Sequence, residues 1–237
     1  MREEAAEETP KENYILLWLT GAVIFAAIAA IYLYVPTEKT EGAVQRIMYF
    51  HLPCAWLSFF AFFVVFLCSI LFLWKREREW DIYAHASAEI GVIFCSLVLI
   101  TGPLWARPIW GAWWVWDARL TSTLILWLIY VAYLMLRSQT EPGSMRARYA
   151  AVIGIAGFLD IPLIHFSVLW WRSFHPLPKV ITSEGIGTGL DTSMMVTLLI
   201  SLAAFTLLYF VLMGQRVRQE KLRDEIDRIK KDKLYSH

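Results

Sequence analysis

Long uncharged stretches alternate with short charged connections along this chain. A membrane helix needs about 20 apolar residues to cross roughly 30 Å of hydrocarbon. The pattern predicts six spans, at about 14–35, 47–74, 83–104, 120–136, 149–171 and 192–214. The fourth is short but clean, bracketed by Arg119 and Arg137. The second is too long for a simple perpendicular crossing, so Phe50-His51-Leu52-Pro53 is expected at the interface, with Pro53 near the start of the buried helix. Residues 1–13 and 215–237 flank the membrane domain. The C-terminal tail mixes acidic and basic residues at helical spacing and reads as a helix continuing the sixth span.

Composition agrees with that picture. Of 237 residues, 58% are apolar and 18% charged, against about 45–50% and 25% in soluble domains. The net charge of +1 suggests neither a nucleic-acid nor an acidic partner. Cys54, Cys68 and Cys95 form no CxxC or CxxCH pattern and read as small buried side chains. Glu3, Glu4, Glu7 and Glu8 stand where a signal peptide would carry bases, so no cleavable signal is expected.

Charge also orients the spans. Lys and Arg number two in the N-terminal segment, three around Lys75, three around Arg146 and eight in the C-tail. The alternate connections carry six in all: Lys39, Arg46, Arg107, Arg119, Arg172 and Lys179. The positive-inside rule therefore predicts both termini in the cytoplasm, with loops 36–50, 105–119 and 172–191 facing outward.

The outward loop 105–119 holds Trp105, Trp110, Trp113, Trp114 and Trp116, five of the chain's 12 tryptophans. Trp110, Trp113, Trp114 and Asp117 follow i, i+3, i+4, i+7, and Pro108 suits a first helical turn. The expectation is an all-α membrane protein of six transmembrane helices with an external, tryptophan-rich interfacial helix. Tryptophans favour the headgroup level, so an aromatic belt is one reading. A platform for a large flat ligand is the other, with Arg107 or Arg119 pairing acidic substituents.

Histidines add to the second reading. His51 and His175 are both predicted at the outer surface, beside Tyr49, Phe50 and Trp56 in one case and Trp170, Trp171 and Phe174 in the other. Two neutral imidazoles at one depth, from separate elements, can approach a porphyrin from opposite faces as axial ligands. Haem is then the ligand that best accounts for the set, and Arg46, Arg107, Arg119, Arg172 and Lys179 are candidates for its propionates. Elsewhere, His85 is one helical step from Glu89 and reads as a local hydrogen bond, and His237 as solvated. His165 reads as an interhelical hydrogen-bonding group or, alternatively, a proton relay. Asp160 shares its span but lies about 140° away around a helix.

These residues resemble a known family. Trp110-Gly-Ala-Trp-Trp-Val-Trp-Asp117 is similar to the tryptophan-rich signature of haem-handling proteins of cytochrome c maturation, and Ala118-Arg119-Leu120-Thr121-Ser122 resembles the CcmC branch. Arg46-Ile-Met-Tyr-Phe-His51-Leu-Pro53-Cys-Ala-Trp56 and Phe166-Ser-Val-Leu-Trp170-Trp171-Arg-Ser-Phe-His175-Pro176 extend the resemblance over nearly the whole chain. Asp160, in place of an uncharged amide, and Pro103 depart from the pattern.

The resemblance implies that His51 and His175 are external axial ligands of a non-covalent haem b and that Trp110, Trp113, Trp114 and Trp116 contact it. Asp117 would orient the segment or a partner, and Arg119 would meet a propionate. It implies an inner-membrane subunit without catalytic residues, working with CcmA/CcmB ABC transporter subunits and a small CcmD, and presenting haem to a periplasmic CcmE-type chaperone. A b-type cytochrome in quinol electron transfer and a plain solute transporter using Glu89, Asp160 and His165 are the rival readings.

Overall fold

The computed structural model describes residues 14–140, 143–170, 181–182, 185–186 and 190–235. Six of its helical segments are long and apolar enough to cross a membrane, and the chain is a multi-pass membrane protein. The first span is α1 (Tyr14–Ala29) followed by a π-helical turn, Ala30–Tyr34. The Val35 N–H reaches back to the Ala30 carbonyl at 3.0 Å. Pro36 then holds Val35 in the extended region and stops the helix.

A 3-10 turn, Ala43–Ile47, leads into α2 (Met48–Lys75). It is followed by α3 (Arg78–Trp110), α4 (Ala118–Gln139), α5 (Ser144–Phe158), α6 (Asp160–Trp170) and α7 (Thr192–Tyr235). A two-residue antiparallel ladder, Ile181–Thr182 with Gly185–Ile186, precedes α7. α2 packs against α3, α5 and α7, while α1 covers α7 and α4 lies on α3, α5 and α6. The starts of α1 and α3, with the ends of α2 and α4 and the C-terminal half of α7, share one end of the bundle. The starts of α2, α4 and α7 share the other.

The fifth predicted span is two helices, broken at Leu159. Pro162 has no N–H for the Phe158 carbonyl and its ring crowds that group, so the ladder restarts at Asp160. A second correction concerns the tryptophans. α3 runs through Pro103 and Pro108 to Trp110, and Gly111, in the left-handed region at φ 73°, ends it. Residues 112–117 are not helical. The expected interfacial helix is therefore absent from these residues, because a helix stop at Gly111 falls inside the i, i+3, i+4, i+7 set.

Lipid tails are as apolar as Leu, so close packing and interhelical hydrogen bonds hold such bundles together. Phe62 of α2 stacks on Tyr130 of α4 with centroids 3.7 Å apart and planes within 10°. Gly91 admits Phe62: a Cβ there would lie 2.6 Å from its ring. The Ser87 hydroxyl donates to the Ala61 carbonyl at 2.8 Å and so accepts from the Tyr209 hydroxyl, also at 2.8 Å, joining α2, α3 and α7. Tyr130 donates to the Gly154 carbonyl at 2.9 Å. Cys54, Cys68 and Cys95 are buried free thiols within this packing.

Ionic groups gather at the end where α3 begins. Asp81 receives both Arg137 and Arg78. Arg78 also grips Asp224 of α7 with Nε and Nη2 at 2.8 and 2.9 Å. Arg216 of α7 pairs with Glu89 of α3, and His85 lies 3.3 Å from Glu220, closer than the 3.8 Å to Glu89 expected as its partner. The tail thus continues the sixth span as a helix, and its first turns dock on α3, with Glu220 buried.

Candidate functional site

The opposite end of the bundle is built around the start of α2. Tyr49 is fully buried among Ile31, Val35, Met48, Met194 and Leu198, and Gln45 donates to its hydroxyl at 3.2 Å. Two residues on, in the first turn of α2, stands the half-buried His51. Its Nδ1 lies 2.8 Å from the Thr101 hydroxyl of α3. Trp105, one turn beyond Thr101, meets the imidazole edge-to-face at 5.8 Å and 74°. Gly102 lies beside the ring, and a Cβ there would meet His51 Cε1 at an ordinary contact distance of 3.5 Å.

Trp105 is itself fixed, its Nε1–H donating to Glu41 at 3.0 Å. Glu41 belongs to a turn in which the Glu38 carboxylate accepts the N–H groups of Thr40, at 2.6 Å, and of Glu41. Those bonds, the Glu41 amide first, hold the Glu38 carboxyl below its ordinary range. Arg46 lies over the Tyr32 ring at 5.8 Å.

Trp110 closes α3, and the irregular segment after it carries the other tryptophans. Arg107 donates to the Gly111 carbonyl and lies 6.0 Å from the Trp113 ring centre, pinning the turn. Trp113 and Trp116 are 57% and 76% exposed. Trp114 packs edge-to-face on Trp116 at 5.6 Å, and its buried Nε1 has no hydrogen-bond partner among the described residues. Asp117 caps α4, accepting the Leu120 N–H at 2.9 Å. Arg119, in the first turn of α4, reaches towards the His165 carbonyl of α6 at 3.5 Å.

His51, Trp110, Trp113, Trp114, Trp116, Asp117 and Arg119 therefore share one end of the bundle. His175, Trp171, Arg172 and Lys179 lie outside the described residues. The rival transport groups are dispersed: Glu89 pairs with Arg216 at the other end, while His165 packs edge-on against its neighbour Phe166. Sequence reasoning missed Thr101 and Glu41, because each acts on a partner 50 or more positions away. Chemically, the arrangement offers an imidazole held through Nδ1, exposed indole faces for a flat conjugated ligand, and cations close by.

Known proteins resemble this chain over most of its length. Residues 5–232 fit the family model CcmC, heme exporter protein C. A heme exporter protein C of Bradyrhizobium diazoefficiens is 40% identical over 214 residues, covering 90% of this chain and 81% of that protein. A putative cytochrome c biosynthesis ccmC-like mitochondrial protein of Marchantia polymorpha is 34% identical, covering 84% and 86%. The heme exporter protein C of Escherichia coli K12 is 32% identical, covering 78% and 74%. A six-span chain matched over almost its whole length belongs to the CcmC, heme exporter protein C, family.

Proposed function

We propose that this chain is the haem-binding membrane subunit of an ABC-type export complex, presenting haem for cytochrome c maturation. Haem b binds without a covalent bond at the outer face, between His51 and His175 as axial ligands. Trp110, Trp113, Trp114 and Trp116 contact the macrocycle, and Asp117 sets the course of that segment through its cap on α4. Arg119, with Arg46 and Arg107, neutralises the propionates. Both termini lie in the cytoplasm of a bacterial inner membrane, as the distribution of bases predicts. The partners are CcmA/CcmB-type transporter subunits, a CcmD-type small subunit and a CcmE-type periplasmic chaperone that receives the haem. The chain itself holds and orients the cargo and performs no bond-making step.

The observation that carries this reading is the gathering of His51 and the exposed Trp113 and Trp116 at one end of the bundle, away from its ionic end. The test is the absorption spectrum and pyridine haemochrome of the purified chain, co-produced with its chaperone, beside His51→Ala and His175→Ala. Low-spin b-type haem in the parent, lost or perturbed in both variants, is expected. Haem surviving both changes unaltered would refute the ligand assignment.

A further inference from the structure

We infer that Thr101 is a positioning residue that fixes the tautomer of His51, so that Nε2 carries the lone pair offered to haem iron. This rests on the reading of His51 as an axial ligand.

The argument is one of proton counting. Thr101 has a single hydroxyl proton and two short contacts, 2.7 Å to the Leu97 carbonyl and 2.8 Å to His51 Nδ1. Two oxygens 2.7 Å apart require a proton between them, because their lone pairs otherwise repel. The hydroxyl therefore donates to Leu97, and its oxygen is left to accept. The proton in the other contact must come from the imidazole, so Nδ1 is the N–H nitrogen. In the neutral ring, Nε2 is then the basic nitrogen, the form that ligates a metal.

Rotation of the ring is also opposed. Trp105, tethered to Glu41, packs edge-to-face against the imidazole. A ring flip would put a carbon against the Thr101 oxygen and forfeit the hydrogen bond. A metal-bound His commonly donates its second N–H to such an acceptor, which fixes its orientation and raises its basicity. Here a helix hydroxyl fills that role from 50 positions away.

The experiment uses the full chain in detergent and has two arms. In the haem-free parent, nitrogen NMR of the His51 ring is expected to show a protonated Nδ1 and an unprotonated Nε2. A protonated Nε2 in the neutral ring would overturn the inference without any variant. In the second arm, Thr101→Val is expected to weaken haem affinity by about 10- to 100-fold. Haem that still binds shifts to a higher midpoint potential, because a less basic imidazole stabilises the ferric state less. Thr101→Ser keeps the hydroxyl and restores both properties. Parent-like affinity and potential in Thr101→Val, while His51→Ala loses haem, would sink the inference and leave the ligand reading standing. Unaltered haem in His51→Ala would remove His51 as a ligand, and the role of Thr101 with it.

Discussion

Asp81 and Arg137, 56 positions apart in sequence, meet as a buried ion pair, 3% and 4% exposed. The guanidinium spans both carboxylate oxygens, with Nη2 3.0 Å from Oδ2. Burying two charges is costly, and their attraction offsets that cost only while both are present. Arg137→Ala leaves the buried Asp81 carboxylate with Arg78 alone and is expected to destabilise the fold by about 3 kcal/mol, the lower end of the cost of breaking a buried pair. The double change Asp81→Ala with Arg137→Ala should cost clearly less than the two single losses combined. Unfolding in mixed detergent measures all three, and additive losses would refute the pairing.

Gly91 tests the packing of α2 against α3. A methyl group there would overlap the Phe62 ring, which stacks on Tyr130 and has little room to retreat. Gly91→Ala is expected to cost about 1–3 kcal/mol, the usual range for overpacking. Adding Phe62→Leu should recover part of it. A neutral Gly91→Ala, by thermal denaturation in detergent, would show that the helices are less closely apposed.

Gly111→Ala should act on direction more than on stability. At φ 73° an L residue pays about 1–2 kcal/mol, and the turn that Arg107 and Trp113 clasp is disturbed. The expected result is altered fluorescence from Trp113 and Trp116 with the helical content retained. Parent-like emission would show that the turn tolerates a side chain.

The 38–42 turn has a built-in acid limit. The Glu38 carboxyl is held below its ordinary value of 4.5 by the amides of Glu41 and Thr40. A depressed acid contributes its full effect above the ordinary value and loses it as pH falls through the lower, folded one. Hydrogen-exchange protection of the Thr40 and Glu41 amides should therefore hold steady above pH 4.5 and decline below it. Glu38→Gln should show lower protection and no such pH dependence. A parent whose protection is flat through the acid range would contradict this.

Six spans were legible because an apolar run long enough to cross a membrane is a local property of sequence. The Pro162 break was visible in principle, since a proline's effect falls on the carbonyl four residues earlier. In 105–119 two local signals compete: the tryptophan spacing suggests a helix, while Gly111 in its middle marks an end, and the stop prevails. Thr101 left no such trace. A threonine in an apolar helix ordinarily bonds its own backbone, and it does so here with Leu97; only the fold brings His51 to its other side. Asp81 and Arg137 were invisible as a pair for the same reason, as nothing local relates the start of α3 to the end of α4.

α3 is 33 residues long, or about 50 Å at 1.5 Å per residue, and joins the ionic end of the molecule to the tryptophan turn. Its two prolines lie in the last turns, and each removes one hydrogen bond, Pro103 the one to the Leu99 carbonyl and Pro108 the one to the Leu104 carbonyl. The base, where Arg78 and Glu89 hold the α7 tail, contains no proline. The His51–Thr101 contact thus falls inside the first of these gaps, and Trp105 and Trp110 lie beyond it on the same helix.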